Sequence, residues 1–333
     1  MRTLNSLAAV LAFSFSAAAQ TPKEPVVAFM NGTTLTMISS SGEVSRTIDL
    51  KNPFYNFSLS KDRKLLIAVS PDTETGGNLY LLNLQTHTNT RLTNGLLYYK
   101  AKDLNKDEKE VYDDPQFSPD GRSLAFAIHT DNPGDGNDAI NDSGPIAVMN
   151  LQTRKVRVLK STENIGGEGP CFANNPSWSP DGKWILFNCE NGAFITDVGG
   201  TTLRELKPKT GQNFISYATS WVGNGCVLTL QSVKDQSDNA TSEQILLFNL
   251  HNSQSQSPAA LFASPGGNIT GMIEASESAF ILRVESGISI EVNGKKWEFP
   301  EIKKEFKEQY SWRNPPAHIL GGWRSASIPH DCE

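Results

Sequence analysis

Apolar and polar positions alternate in short runs along most of this chain, and the runs recur in pairs. Phe117 precedes a polar turn, and Leu124 and Phe126 follow it with smaller residues between them. Trp178, Ile185 and Phe187 repeat the arrangement. A period of two over a few residues, bounded by Gly, Pro, Asp and Asn, predicts half-buried strands joined by tight turns.

The turn is a repeated motif. Pro115-Gln-Phe-Ser-Pro-Asp-Gly-Arg-Ser-Leu-Ala-Phe126 aligns with Pro176-Ser-Trp-Ser-Pro-Asp-Gly-Lys-Trp-Ile-Leu-Phe187. A weaker copy begins at Phe57, with Lys61 in place of the proline and Arg63 in place of the glycine. A fourth, Tyr217 to Leu228, keeps the aromatic, a Gly-containing turn and the apolar run. Proline presets φ at the second turn position, Asp tolerates the third, and Gly supplies positive φ where the next strand starts.

Each hairpin is followed by a second strand pair. These are Asn78 to Leu84 with Thr90 to Leu92, Ile146 to Leu151 with Val156 to Leu159, Ala193 to Asp197 with Leu203 to Leu206, and Ile245 to Leu250 with Ala260 to Phe262. Four strands per unit, with turns 43 to 61 residues apart, is the pattern of propeller blades. Segments 269–273, 279–284, 288–292 and 296–299 predict a fifth blade with degraded turns. The tail around Ala317 to Leu320 is expected to give inner strands to a sixth, whose outer strands are Val26 to Phe29 and Thr34 to Ile38. The expected fold is therefore all-β: a single propeller of six four-stranded blades, closed by the two chain ends. Seven blades would require a hidden strand pair in 93–114.

The repeat at 115–126 and 176–187 resembles that of TolB-like propellers, a WD40-like repeat also found in the propeller portion of prolyl oligopeptidase relatives. The resemblance covers most of the chain, clearly in two blades and faintly elsewhere. It implies a protein or cell-envelope partner; the motif itself speaks for fold rather than function.

Ahead of the repeats, Arg2, the apolar run Leu7 to Phe15 and the small residues Ala17 to Ala19 have the order of a secretory signal. This predicts a signal peptide at 1–19, a propeller domain at 20–333 and a periplasmic or secreted location. No segment approaches the roughly 18 apolar residues of a membrane-spanning helix. The formal net charge is -6, without a polybasic tract, which argues against nucleic acid as a partner.

Four cysteines are few for an exported chain of this size. Cys171 and Cys189 flank one hairpin at similar distances from its turn and form the candidate disulfide. Cys226 reads as a buried core thiol and Cys332 as a free one.

Candidate chemistry is sparse. An oligopeptidase would need a Gly-x-Ser-x-Gly nucleophile elbow in a separate α/β domain, and neither is present. The five histidines are scattered. Segment 129–145 places Asp131, Asp135, Asn137 and Asp142 at positions 1, 5, 7 and 12 of a calcium-type loop, although Pro133 and the short Asp142 depart from that pattern. The competing reading is that Asp, Asn and Gly there simply form turns. The connector 93–114 carries -2 and segment 129–145 carries -4, which together match the charge of the whole chain.

Both segments should emerge on one face, and long loops on a rigid scaffold are where binding usually sits. Tyr98, Tyr99, Asp113, Asp114 and Asp138 are the partner-binding candidates. Trp178, Trp184 and Trp221 are expected to pack within or between blades. Five Asn-x-Ser/Thr sites, at Asn31, Asn56, Asn141, Asn239 and Asn268, matter only in a eukaryotic secretory route. The leading function is non-enzymatic binding of a protein or envelope partner through an acidic face. The alternatives are a carbohydrate-active lyase or hydrolase at the channel and a calcium-stabilised structural module.

Overall fold

In the computed structural model, Ser118 and Ser179 each close the predicted hairpin turn in the same way. Their hydroxyls donate to Asp120 and Asp181 at 2.6 and 2.7 Å, and they accept the N–H of Ser123 and Trp184 at 2.9 and 3.0 Å. Gly121 and Gly182 follow with φ of 69° and 72°, as the turn requires. The weak copy keeps the geometry: Ser60 bonds Asp62 at 2.7 Å, and Arg63 adopts φ of 58° where the stronger copies have glycine.

The structure describes residues 25–39, 43–54, 56–72, 76–94, 97–98, 109–131, 140–142, 144–163, 165, 173–189, 192–206, 214–234, 240–251, 259–264, 269–275, 279–284, 287–292, 295–299, 317–319 and 332. The expected signal peptide, Tyr99, Asp135, Asn137, Asp138 and Cys171 lie outside them.

Among the described residues the turns connect strands of six antiparallel sheets, five with four strands and one with five. The first holds β1 (Pro25–Asn31), β2 (Thr34–Ser39) and β3 (Val44–Asp49). The second holds β4 (Phe57–Leu59), β5 (Leu65–Asp72), β6 (Gly76–Asn83) and β7 (Thr88–Arg91). The third holds β8 (Lys109–Phe117), β9 (Ser123–Asp131), β10 (Ile140–Asp142), β11 (Ile146–Asn150) and β12 (Val156–Val158). The fourth holds β13 (Asn174–Trp178), β14 (Trp184–Cys189), β15 (Gly192–Asp197) and β16 (Leu203–Leu206). The fifth holds β17 (Phe214–Val222), β18 (Cys226–Lys234), β19 (Ala240–Asn249) and β20 (Ala259–Ser264). The sixth holds β21 (Ile269–Ala275), β22 (Ala279–Val284), β23 (Gly287–Val292) and β24 (Lys295–Phe299). Finally, β25 (Ala317–Ile319) returns to the first sheet and pairs with β1 through Val27 and Ile319, Ala28 and His318, and Phe29 and Ala317.

The chain is thus a single all-β propeller closed by its two ends. The closing blade takes one strand from the tail, against the several inner strands expected, and three from the N-terminal segment, with β3 as an additional outer strand. Of the segment 93–114, the described residues from Lys109 onward begin the inner strand β8.

Alternation along each second strand joins the blades. In β5, Leu66 and Ala68 face a core with Phe54, Phe57 and Met37, while Ile67 and Val69 face the next core, with Tyr112 and Phe126. In β9, Leu124, Phe126 and Ile128 share that core, and Ala125 and Ala127 face Ile185 and Phe187 of the fourth blade. Successive side chains of a strand point to opposite sheet faces, so each blade must be apolar on both.

The tail is fastened a second time. Cys332 is disulfide-bonded to Cys226, and its carbonyl accepts the N–H of Gly225 at 2.9 Å. This corrects the expectation of a core thiol and a free thiol: Cys226 is buried, as expected, but it lies beside a blade turn that the C-terminus reaches. Cys189 is also disulfide-bonded.

Candidate functional site

In an antiparallel four-stranded blade, the blade-to-blade connectors and the loops between second and third strands share one face. On that face, Thr93 and Thr162 pin successive connectors to the third strands. Their hydroxyls accept the N–H of Leu79 and Ile146 at 3.0 and 2.9 Å. Glu110, 3 % exposed, then receives the N–H groups of Leu97 at 2.7 Å and Tyr98 at 3.1 Å, fixing the connector that carries Tyr98. Beside it, Tyr112 is buried, and its phenol is held above its usual range first by burial and then by Glu110. Tyr98 is partly buried and shifts the same way, through burial and then Glu163 of the following connector.

Toward the channel, the inner strands of three blades meet in a polar array. The pairing of β8 with β9 slips between Asp113 and Gln116, and that of β13 with β14 slips between Asn174 and Ser177. Within these bulges Asp114 and Asn175 take φ of 50° and 49°. Such values are uncommon outside glycine, although Asp and Asn tolerate them best. Asn56 donates its side-chain N–H groups to Asp113 at 3.1 Å and to Asp114, and the Asn175 N–H donates to Asp114 Oδ2 at 2.8 Å. One carboxylate thus bridges the second, third and fourth blades. Ser58 adds a bond to Gln116 at 3.3 Å.

The candidates distribute unevenly over this geometry. Tyr98 lies in the connector ahead of β8 and Asp114 within the inner strand β8, and both are partly exposed. Asp113 is only 4 % exposed, and its carboxylate receives Asn56 and the Asp114 N–H. Asp131 ends β9 opposite Ile140, and Asp142 lies in β10 opposite Thr130, so the presumed loop is partly a strand pair. Among the described residues no group of three or more His, Cys, Asp or Glu is arranged to hold a metal ion.

Trp178 and Trp221 behave as packing residues with a polar handle. Their indole N–H groups donate to the carbonyls of Gln116 and Ser177 in the preceding blade, at 3.1 and 3.0 Å. Trp184 is instead 39 % exposed, at the outset of β14.

Asn56, Gln116, Asn174 and Asn175 were missed in the sequence. Asn56, Asp114 and Asn175 occupy one repeat position, directly before the residue aligned with Pro115 and Pro176. A short polar side chain there in all three copies was the available signal.

This architecture defines the class: a β-propeller with a polar, partly acidic channel end. No family model matches the chain, and no curated protein is similar to it in sequence. Solved propellers are similar in fold. A putative TolB from Agrobacterium tumefaciens is 18% identical over 73% of this chain and 78% of that one, with a TM-score of 0.49. A structure of a nidogen/laminin complex is 8% identical over 83% of this chain and 92% of that one, with a TM-score of 0.52. The Cps50 (Swd1) propeller domain from Myceliophteria thermophila is 12% identical over 84% and 87%, with a TM-score of 0.48. No helix among the described residues is long and apolar enough to cross a membrane.

Proposed function

We propose that this chain is an exported binding propeller that engages a protein or cell-envelope partner through its connector face, around Tyr98 and Asp114. The observation that carries the reading is Asp114. A non-glycine residue at positive φ, with its carboxylate fixed by Asn56 and Asn175 from both neighbouring blades, is local strain maintained by its surroundings. Strain of this kind concentrates at functional positions. The pinned connectors supply the rigid platform that loop-borne recognition needs. Two features support export: the signal-like segment 1–19, and a disulfide between Cys226 and Cys332, a bond that persists in oxidising compartments.

The test is site-specific photocrosslinking in the producing cell's envelope. A photoreactive residue at position 98 is expected to trap one discrete partner. The same residue at Lys155, exposed on a turn of the opposite face, is expected to trap none. Equal trapping at both positions, or none at either, refutes the reading.

Calcium belongs to the same proposal as a structural ligand of the Asp131, Asp135, Asn137 and Asp142 segment. Support comes from the strand pairing, which brings the β9 end carrying Asp131 beside the β10 strand carrying Asp142. A ligand that binds only the folded state raises the melting midpoint by mass action. A calcium-dependent rise that disappears in a variant with all three aspartates replaced by Asn is expected, and an unchanged midpoint at millimolar calcium removes calcium from the account.

A further inference from the structure

Four buried polar atoms gather at one level of the seam between the fourth and fifth blades. Asn188 is 3 % exposed, and neither its side-chain N–H2 nor its carbonyl oxygen has a hydrogen-bond partner among the described residues. Thr229 is fully buried, and its hydroxyl and that of Thr219 are buried in the same condition.

Strand geometry brings the three residues together. Asn188 lies two positions beyond Leu186 on β14, Thr219 two before Trp221 on β17, and Thr229 two after Val227 on β18. Leu186, Trp221 and Val227 form one apolar cluster across the seam. Residues two apart on a strand share a sheet face, so Asn188 faces the fifth blade while Thr219 and Thr229 face the fourth. Thr219 and Thr229 are direct cross-strand partners.

The level is fixed by Trp221, whose indole N–H donates across the seam to the carbonyl of Ser177, itself paired with Leu186. One step of two residues from this bond toward the connector face reaches Asn188 on one side and the threonine pair on the other.

Buried polar groups in folded proteins are nearly always satisfied, by protein or by ordered water. Here the inventory suits water. Asn188 offers two donor hydrogens and an acceptor, and each threonine hydroxyl donates and accepts. A molecule that donates twice and accepts twice complements this set, and internal waters characteristically make two to four such bonds. A route to the site is at hand, because Asn188 pairs with Asn174 where the inner strand bulges at the channel.

We propose that this seam is an internal water-binding site, with at least one water molecule bridging Asn188 to the Thr219 and Thr229 hydroxyls, so that the two blades are joined by a wet polar rung above their apolar contact. A crystal structure that shows ordered water is the first test. Density for water within hydrogen-bond distance of the Asn188 side chain and of a threonine hydroxyl is expected. Direct bonds between these side chains, an empty seam, or density for a larger occupant overturns the proposal.

Magnetic relaxation dispersion counts long-lived internal waters in solution and provides a second test. The combined Asn188→Leu and Thr229→Val variant should lose at least one. Should that variant not fold, the combined Thr219→Val and Thr229→Val variant, which keeps both side-chain shapes, replaces it with the same expectation. An unchanged count in a folded variant overturns the proposal.

Discussion

Removing the Cys226–Cys332 bond should cost this propeller about as much as truncating a large core side chain. The bond closes a sequence separation of 106 residues, reaching from the turn between β17 and β18 to the end of the chain. On the chain-entropy relation a closed loop of that size removes about 4.7 kcal/mol of disorder from the unfolded state, and measured losses of native bridges run about 2–5 kcal/mol. For a chain of this length, at roughly 2 °C per kcal/mol, the midpoint should fall by about 4–10 °C. The clean perturbation is the double replacement Cys226→Ser and Cys332→Ser. A reducing agent is a poor substitute, since Cys189 is also disulfide-bonded and would be attacked with it. Urea unfolding of the oxidised parent and the variant measures the loss. It also tests the cause: a cross-link that acts on the unfolded chain keeps it compact, so the denaturant slope m should rise when the link is removed. A loss below about 1 kcal/mol with an unchanged m would refute the reasoning. The tail would then be held by the β1–β25 pairing, with the bond adding nothing.

Two further outcomes follow from the repeats. Phe187 is fully buried between the third and fourth blades and stacks on Phe194 at 5.7 Å, so Phe187→Ala should cost about 3–5 kcal/mol in urea unfolding, and a loss below about 1 kcal/mol would contradict the described core. The turn aspartates predict an acid limb. Serine hydroxyls and then backbone N–H groups hold Asp62 and Asp120 below the usual carboxylate value; at Asp181 burial opposes the shift, but the Ser179 and Lys183 bonds outweigh it. A carboxylate lowered on folding contributes stability that is complete above its unfolded value, near 3.8, and is lost as pH falls through its lowered folded value. Melting midpoints should therefore hold at mildly acidic pH and drop below about pH 4, and the Asp120→Asn and Asp181→Asn double variant should start lower and fall less steeply, a parallel fall arguing against the turns as the cause.

Most of the architecture was legible because each blade is specified locally. Ser-Pro-Asp-Gly fixes a turn within a few residues, and alternation such as Leu124-Ala-Phe126 fixes which sheet face each residue takes. Both signals survive in single copies, so even the blade of β21 to β24, which lacks the turn motif, could be placed by alternation alone. The strands that escaped had weaker local signals. In β3 the residues Val44 to Thr47 are all exposed, and an outer strand that buries only Ile48 shows little of the period that identifies its neighbours. The Cys226–Cys332 bond escaped because the two cysteines are neighbours only after the ring has closed.

The candidate site was less legible for the same reason. Its members lie on or directly beside the inner strands of three blades, and Asn56, Asp114 and Asn175 are separated by 58 and 61 residues. Charge counting treats every carboxylate of the connector as exposed, which the structure corrects at two positions. Glu110 and Asp113 were counted with the solvent-exposed connector, yet both sit within β8 and are buried. Glu110 holds the connector backbone, and Asp113 receives Asn56. A carboxylate buried against backbone N–H groups orders the platform rather than projecting a field from it. The exposed acidity of this face is therefore smaller than the sequence total suggests, and recognition there should depend more on the placement of Asp114 and Tyr98 than on net charge. A partner selected by such placement would bind with weak dependence on salt, whereas one attracted by the summed charge would be lost as ionic strength rises.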